Sequence, residues 1–167
     1  IQQAPALDQV STASLPALQK YVASTRALML EGDFAKGIRL LEEAIALDTT
    51  FAMAYRRLAI ELNNRQLDPV RVQANLQKAY EYRDRLSDAE RYMALASYFS
   101  SGPKPDQARA ISALESLVDL QPDNAPALNN LANQYRQARE HAKAEVMARR
   151  GLAAQRTLVV LYRNAFS

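Results

Sequence analysis

Apolar and polar positions along this chain recur with the period of an amphipathic helix. In "LQKYVASTRALML" (18–30) Tyr21 and Leu28 share one face, and in "ALNNLANQY" (127–135) Leu128, Leu131, Ala132 and Tyr135 stand at i, i+3, i+4 and i+7. Each stretch is followed by a second helical pattern, "EGDFAKGIRLLEEAIALD" (31–48) and "AREHAKAEVMARRGLAAQ" (138–155). Both second stretches open on a turn, then an aromatic residue, then a small residue three positions on, and continue as an apolar stripe. The predicted unit is helix–turn–helix.

The unit repeats. The leading large residues of successive first helices, Tyr21, Tyr55, Tyr92, Leu128 and Tyr162, are spaced about 34, 37, 36 and 34 apart, against about 34 for a tetratricopeptide repeat. Ala59, Ala96 and Ala132 occupy the small position that lets two helices approach, with Gly37, Ala110 and Ala144 as second-helix counterparts; Thr25 and Val72 depart from the pattern. Asp33, Asp68 before Pro69, and Asn124 stand where a helix start needs a side-chain acceptor. Ser87 with Glu90 reads as a capping box. The expected architecture is all-α, a right-handed superhelix of stacked antiparallel pairs. Residues 1–13 read as a lead-in and 14–167 as the repeat domain. Four helix pairs are predicted at 15–48, 51–83, 88–121 and 125–155, and a ninth, capping helix at 157–166. "SSGPKP" (100–105) is the longest interruption.

Three stretches, "ALDQVSTASLPALQKY" (6–21), "AYEYRDRLSDAERY" (79–92) and "PALNNLANQY" (126–135), resemble the tetratricopeptide segment found C-terminal to the kinase domain in a group of bacterial membrane-anchored serine/threonine protein kinases. The resemblance covers nearly the whole chain. It implies a sensor or docking segment on the extracytoplasmic side of a membrane. Similar segments also follow winged-helix regulators, and without the kinase parent the expected compartment is the cytoplasm. No kinase machinery is present in the chain. Gly32, Gly37, Gly102 and Gly151 form no G-x-G-x-x-G loop, and there is no His-Arg-Asp or Asp-Phe-Gly.

Composition narrows the chemistry. The 167 residues are 49% hydrophobic, with a formal charge of +3 and basic residues interleaved among acidic ones, so the electrostatic footprint of a nucleic-acid binder is missing. Nucleic acid is not an expected partner. With no cysteine and one histidine, thiolate chemistry and a Ser/His/Asp set have no support. No apolar run reaches the roughly 20 residues of a membrane span, and this segment is expected to make no membrane contact itself. The first residues, "IQQAPALDQV", lack the basic and apolar regions of a signal peptide, so any targeting element is expected to precede them.

Two acidic features invite a site and are read otherwise. Residues 79–92 carry Asp84, Asp88 and Glu90, which fall in a turn and a first helical turn, where the helix dipole favours acids. His141 and Glu145 have the one-turn spacing of metal ligands but lack a second histidine. Glu42, Glu43 and Glu81 read as a solvated face. No catalytic residue, metal or cofactor is expected.

The candidate functional surface is the concave side lined by first helices. Counting one, five and eight positions past each leading residue gives Val22, Arg26 and Met29; Arg56, Ile60 and Asn63; Met93, Ser97 and Ser100; and Asn129, Asn133 and Arg136. Asparagine amides pair with peptide backbone, arginines fork onto carboxylates, and Met and Ile supply adaptable apolar contact. The expected function is a protein- or peptide-binding scaffold that takes an extended partner segment with at least one acidic group. The rival readings are an oligomerisation segment with an empty groove and a small-molecule sensor. Families with a peptide-carboxylate clamp place Lys and Asn where this chain has Val22 and Arg26, so that clamp is not carried over.

Overall fold

The computed structural model describes residues 12–165, with side chains through residue 156. Among these residues the chain is all-helical. The helices are α1 (Leu15–Arg26), α2 (Phe34–Leu47), α3 (Ala52–Asn64), α4 (Pro69–Glu81), α5 (Asp88–Ser101), α6 (Gln107–Leu120), α7 (Ala125–Gln137) and α8 (His141–Ala165). α1 runs on through a π-helical turn, Ala27–Glu31, and a 3₁₀ turn, Arg83–Arg85, precedes α5. The chain divides into two compact units, residues 1–105 and 106–167. The boundary falls in the interruption after α5.

The helix starts are built as the sequence requires. Asp33 accepts from Lys36 N at 2.9 Å, Asp68 from Arg71 N at 3.0 Å, and Asn124 from Ala127 N at 2.9 Å. Each supplies one orphan amide with a side-chain acceptor. Asp68 does so from a left-handed backbone, φ 39°, which the short side chain of Asp tolerates. Ser14 and Asp106 cap α1 and α6 in the same way. Gly32, at φ 67°, ends the π-helical turn, and the amide of Asp33 returns to the Ala27 carbonyl at 2.9 Å.

In the first unit, α1 pairs with α2 and α3 with α4, and α5 packs on both α3 and α4. Leu28, Leu41, Leu58, Ala59, Leu62, Val72, Leu76 and Tyr98 form one buried cluster. A second cluster joins Ala17, Ala44, Phe51 and Ala54. The small positions are buried as expected at Ala59 and Ala96. Gly37 is the tightest: a Cβ built there would stand 2.5 Å from Leu28 Cγ and Cδ2. At the first departure from the pattern, Ser24 takes over from Thr25. It is fully buried and donates to the Tyr21 carbonyl at 2.6 Å, so its hydroxyl is satisfied within its own helix. At the second, Val72 is buried in the main cluster.

In the second unit, α7 packs against both α6 and α8. Leu114, Leu117, Leu128 and Leu131 are buried, as are the small residues Ala110 and Ala132. Gly151 lies 3.4 Å from Leu128 Cβ, measured from where its own Cβ would be. The separate ninth helix expected at 157–166 is corrected by the structure. α8 continues without a break to Ala165. The sequence around residue 156, "AAQRTLVV", contains neither Gly nor Pro, so nothing stops the helix. Tyr162 lies beyond the described side chains, and most of the lead-in lies outside the described residues.

The close contacts are directly testable. Gly37→Val adds carbons where a single Cβ already collides with Leu28, and Ala132→Leu overpacks a buried site. Each is expected to destabilise its unit by about 1–3 kcal/mol. Glu43→Ala, which removes only exposed ion pairs to Lys20 and Arg39, is expected to shift the midpoint little. Equal midpoints in urea titrations of all three variants would overturn this register.

Candidate binding face

The acidic stretch 79–92 is a corner. Ser87 Oγ and the Glu90 carboxylate complete a capping box, with Ser87 N donating to Glu90 Oε2 at 3.2 Å. Asp88 pairs with Arg91 at 2.6 Å, and Asp84 projects into solvent beside Arg83 at 3.8 Å. Tyr80 stacks on Tyr98 with ring centroids 4.1 Å apart, and the Arg83 guanidinium lies over the Tyr80 ring at 4.1 Å from its centroid. His141 is the exposed first residue of α8, and Glu145 pairs with Arg149 at 2.5 Å. Among the described residues there is no group of three or more His, Asp or Glu able to hold a metal ion. No helix among them is long and apolar enough to cross a membrane.

A polar pocket lies at the α2–α3 corner, lined by Thr12, Ser14, Leu47, Asp48, Thr50 and Arg85. Asp48 accepts from Thr12 Oγ1 at 2.5 Å, Thr50 Oγ1 at 2.7 Å and Thr50 N at 2.9 Å. Burial works to raise its pKa, but these hydrogen bonds and the nearby Arg85 charge outweigh it and hold the carboxylate below its ordinary value. Its acceptor capacity is spent on fastening the corner.

The first-helix positions divide between the two units. On α3, Arg56, Ile60 and Asn63 lie opposite the buried stripe of Ala54, Leu58 and Leu62. Arg56 turns toward α5, where its Nε donates to Ser97 Oγ at 2.9 Å and to the Met93 carbonyl at 3.3 Å. Three of the expected site residues therefore meet. Ser97 Oγ donates its own hydrogen bond to the Met93 carbonyl at 3.0 Å, which leaves its lone pairs to accept from the guanidinium. Burial draws the Arg56 guanidinium down to about 10, with Arg57 adding to the effect and Tyr21 opposing it. No carboxylate among the described residues is within ion-pair distance of Arg56. Its neighbours are committed elsewhere: Arg57 and Arg65 both pair with the buried Glu61, at 3.0 and 2.7 Å.

On α1, Arg26 pairs with Glu31 at 3.3 Å and Met29 is exposed. The face around Val22 extends further toward the N-terminus than the counting rule reached. Leu15, Leu18 and Val22 form a ridge at i, i+3 and i+7 opposite Ala17, Tyr21 and Ser24, beside a shallow groove that also takes in Gln19, Ala23 and Arg26. That spacing is present in the sequence, but counting from Tyr21 excluded everything before it. In the second unit Asn129 and Arg136 are exposed on α7 and Asn133 is half-buried.

No protein-family model matches the sequence, and no curated protein does. Solved structures are similar in fold. A crystal structure of MamA superposes with a TM-score of 0.51 at 20% identity, covering 86% of this chain and 80% of that one. The MamA RS-1 ArsTM double mutant gives 0.52 at 17% identity, over 85% and 76%. A further crystal structure of MamA protein gives 0.50 at 21% identity, over 84% and 73%. At these identities the likeness shows the fold: adjacent helix pairs of the tetratricopeptide-like kind. It carries the helical-repeat part of the expected resemblance and not the kinase part.

Two outcomes follow from the corner chemistry. Ser87→Ala removes a cap and is expected to cost about 0.5–2 kcal/mol of stability while leaving partner affinity unchanged; lost binding at unchanged stability would restore residues 79–92 as a site. For Asp48 the folded pKa is depressed, so its stabilisation is complete above the unfolded value and is lost as pH falls through the lower folded value. Urea midpoints of the wild type are expected to drop below roughly pH 4, and those of Asp48→Asn to drop less over the same range.

Proposed function

We propose that the chain is a protein-binding helical-repeat module, and that the first-helix face of its first unit takes an extended partner segment carrying an acidic group. The observation behind this reading is Arg56, a half-buried cation held in place by Ser97 and the Met93 carbonyl with no acid partner among the described residues. A desolvated charge of this kind is costly unless something compensates it, and a partner's carboxylate would do so with charge-assisted hydrogen bonds. The neighbouring Ile60, Asn63 and Met93 add apolar and amide contacts. In the second unit Asn129, Asn133 and Arg136 offer the same chemistry on α7. The MamA-like fold supports a scaffold role, and such scaffolds are typically non-catalytic.

The finer reading is a sensor or docking segment of a larger bacterial signalling protein such as a serine/threonine kinase. Its support is the resemblance of residues 6–21, 79–92 and 126–135, and the reading frame surrounding this segment tests it.

For the binding reading, immobilised wild type is compared with Arg56→Glu, Asn133→Ala and the double variant in pull-downs from native lysate, with quantitative mass spectrometry. Arg71→Glu, on the outward side of α4, serves as the control. The expected result is at least one partner captured by the wild type and the control and lost from the double variant, at unchanged circular dichroism. Retention of every partner by the double variant would move the binding site away from these faces.

A further inference from the structure

The first unit carries, on its successive first helices α3 and α1, a cation with no acid partner among the described residues and an apolar ridge. The ridge is Leu15, Leu18 and Val22, of which Leu15 is 60% and Val22 59% exposed. Leu15 and Val22 are exposed and Leu18 is half-buried, on the side of the helix away from Ala17 and Ser24, and none of the three joins the described core clusters. They form the kind of contiguous exposed patch that marks an interaction surface. The cation is Arg56 on α3. The two helices meet where the Tyr21 ring packs on Phe51, the residue ahead of α3, with ring centroids 5.1 Å apart. Tyr21 also lies close enough to feel the Arg56 charge, although burial dominates the behaviour of its phenol.

We propose that this face reads a short linear motif: an extended peptide in which an apolar residue and an acidic side chain stand three positions apart. The apolar residue sits on Leu18 and Val22, and the carboxylate sits on the guanidinium of Arg56. The proposal rests on the protein-binding reading above and names the partner's chemistry.

The spacing follows from geometry. An extended chain advances about 3.3 Å per residue, so roughly three residues reach across about 10 Å, the spacing of neighbouring helices; α1 and α3 are linked through the Tyr21–Phe51 ring contact and through α2, which packs on both. The orientation of Arg56 favours a carboxylate. Its Nε is already spent on Ser97 and the Met93 carbonyl, which fixes the guanidinium plane and leaves its two terminal nitrogens as a fork for two oxygens. Arg26, the other arginine of this face, is held by Glu31. Glu90, at the start of α5, spends its carboxylate on the Ser87 cap. The acid is assigned to a side chain of the peptide, not to its terminus. Beyond Arg56 the face continues onto α5 through Met93, Ser97 and Ser100, all half-buried, so a chain can run past the anchor.

The test is a display library of random twelve-residue peptides panned against the chain, followed by fluorescence anisotropy on synthetic copies of the enriched sequences. Enrichment of an apolar residue followed three positions later by Asp or Glu is expected. Replacing that Glu by Gln in the peptide, or Arg56 by Gln in the protein, is expected to weaken binding by about 10- to 100-fold each. The two changes together are expected to weaken it no further, because both remove the same contact. Val22→Asp, at an exposed position that leaves the fold intact, is expected to abolish the apolar preference. It keeps the test open if Arg56→Gln lowers the melting temperature.

Five outcomes would overturn the motif. Enriched peptides without an acid at that spacing would do so, as would equal weakening of the Glu and Gln peptides by Arg56→Gln. Binding that requires a free C-terminal carboxylate and is lost on amidation would assign the site to a chain end. In these three cases the face still binds protein. If no peptide binds, or if those that bind ignore Val22→Asp and Arg56→Gln alike, the motif and the protein-binding reading of this face both fall.

Discussion

The close approach of α1 and α2 depends on a missing side chain. At Gly37 even one carbon would enter the space held by Leu28, and that contact sets how deeply Leu28 enters the cluster with Leu41, Leu58 and Leu62. Dense packing transmits such a constraint, because side chains in a close-packed interior have little room to compensate. The π-helical turn at Ala27–Glu31 lies in the same region, and the buried hydroxyl of Ser24 is satisfied within α1. With the inner face of α1 fixed in this way, Leu15, Leu18 and Val22 must point outward. The ridge follows from the core contact.

Charge is arranged with similar economy. Most acids in the first unit serve a local need: Asp33, Asp68 and Glu90 cap helices, Glu31 takes Arg26 and Lys36, and Glu61 lies between Arg57 and Arg65. Exposed pairs of this kind are worth little individually. The buried Glu61 ladder is different, since removing one partner would leave a desolvated charge. Arg56 stands one residue from that ladder but faces away from it, toward the backbone of α5. A neutral hydroxyl and a carbonyl orient a guanidinium without neutralising it; Arg85, which donates to the Thr50 hydroxyl, also lacks an ion pair among the described residues, but it lies near the Asp48 carboxylate, whose pKa its charge helps to lower.

Much of the fold was legible because its determinants are local. A stripe at i, i+3, i+4 and i+7, an Asp or Asn ahead of it and an Ala where helices touch are short-range features, and Asp33, Asn124, the Ser87 box and Ala59 all lie where the pattern put them. The misreadings have equally physical causes. A regular repeat suggested a break before a ninth helix, but without Gly or Pro near residue 156 the backbone had no reason to end α8. Thr25, which departs from the small-residue pattern, is half-buried beside the fully buried Ser24, and both hydroxyls donate to the Tyr21 carbonyl within α1. The Asp48 corner joins Thr12 to a residue 36 positions away, and no spacing rule reaches that far. For the candidate face, the sequence identified Arg56, Met93 and Ser97 as sharing a surface. It could not show that Arg56 has no acid partner among the described residues, because ion pairing is decided by which helices become neighbours.

The energetics limit what such a face can do. Association costs about 4–15 kcal/mol before any affinity appears. A charge-assisted hydrogen bond returns only about 1.5–3 kcal/mol, and burying the α1 ridge adds about 25 cal/mol for each Å² covered. Neither the arginine nor the ridge is sufficient alone, so the proposed binding uses both at once. That requirement is a source of specificity, since a segment offering only the acid or only the apolar residue falls short by most of the missing contact. It also keeps complexes reversible. A scaffold built this way is suited to recognising partners through short accessible segments, with discrimination arising from the fixed distance between two weak anchors.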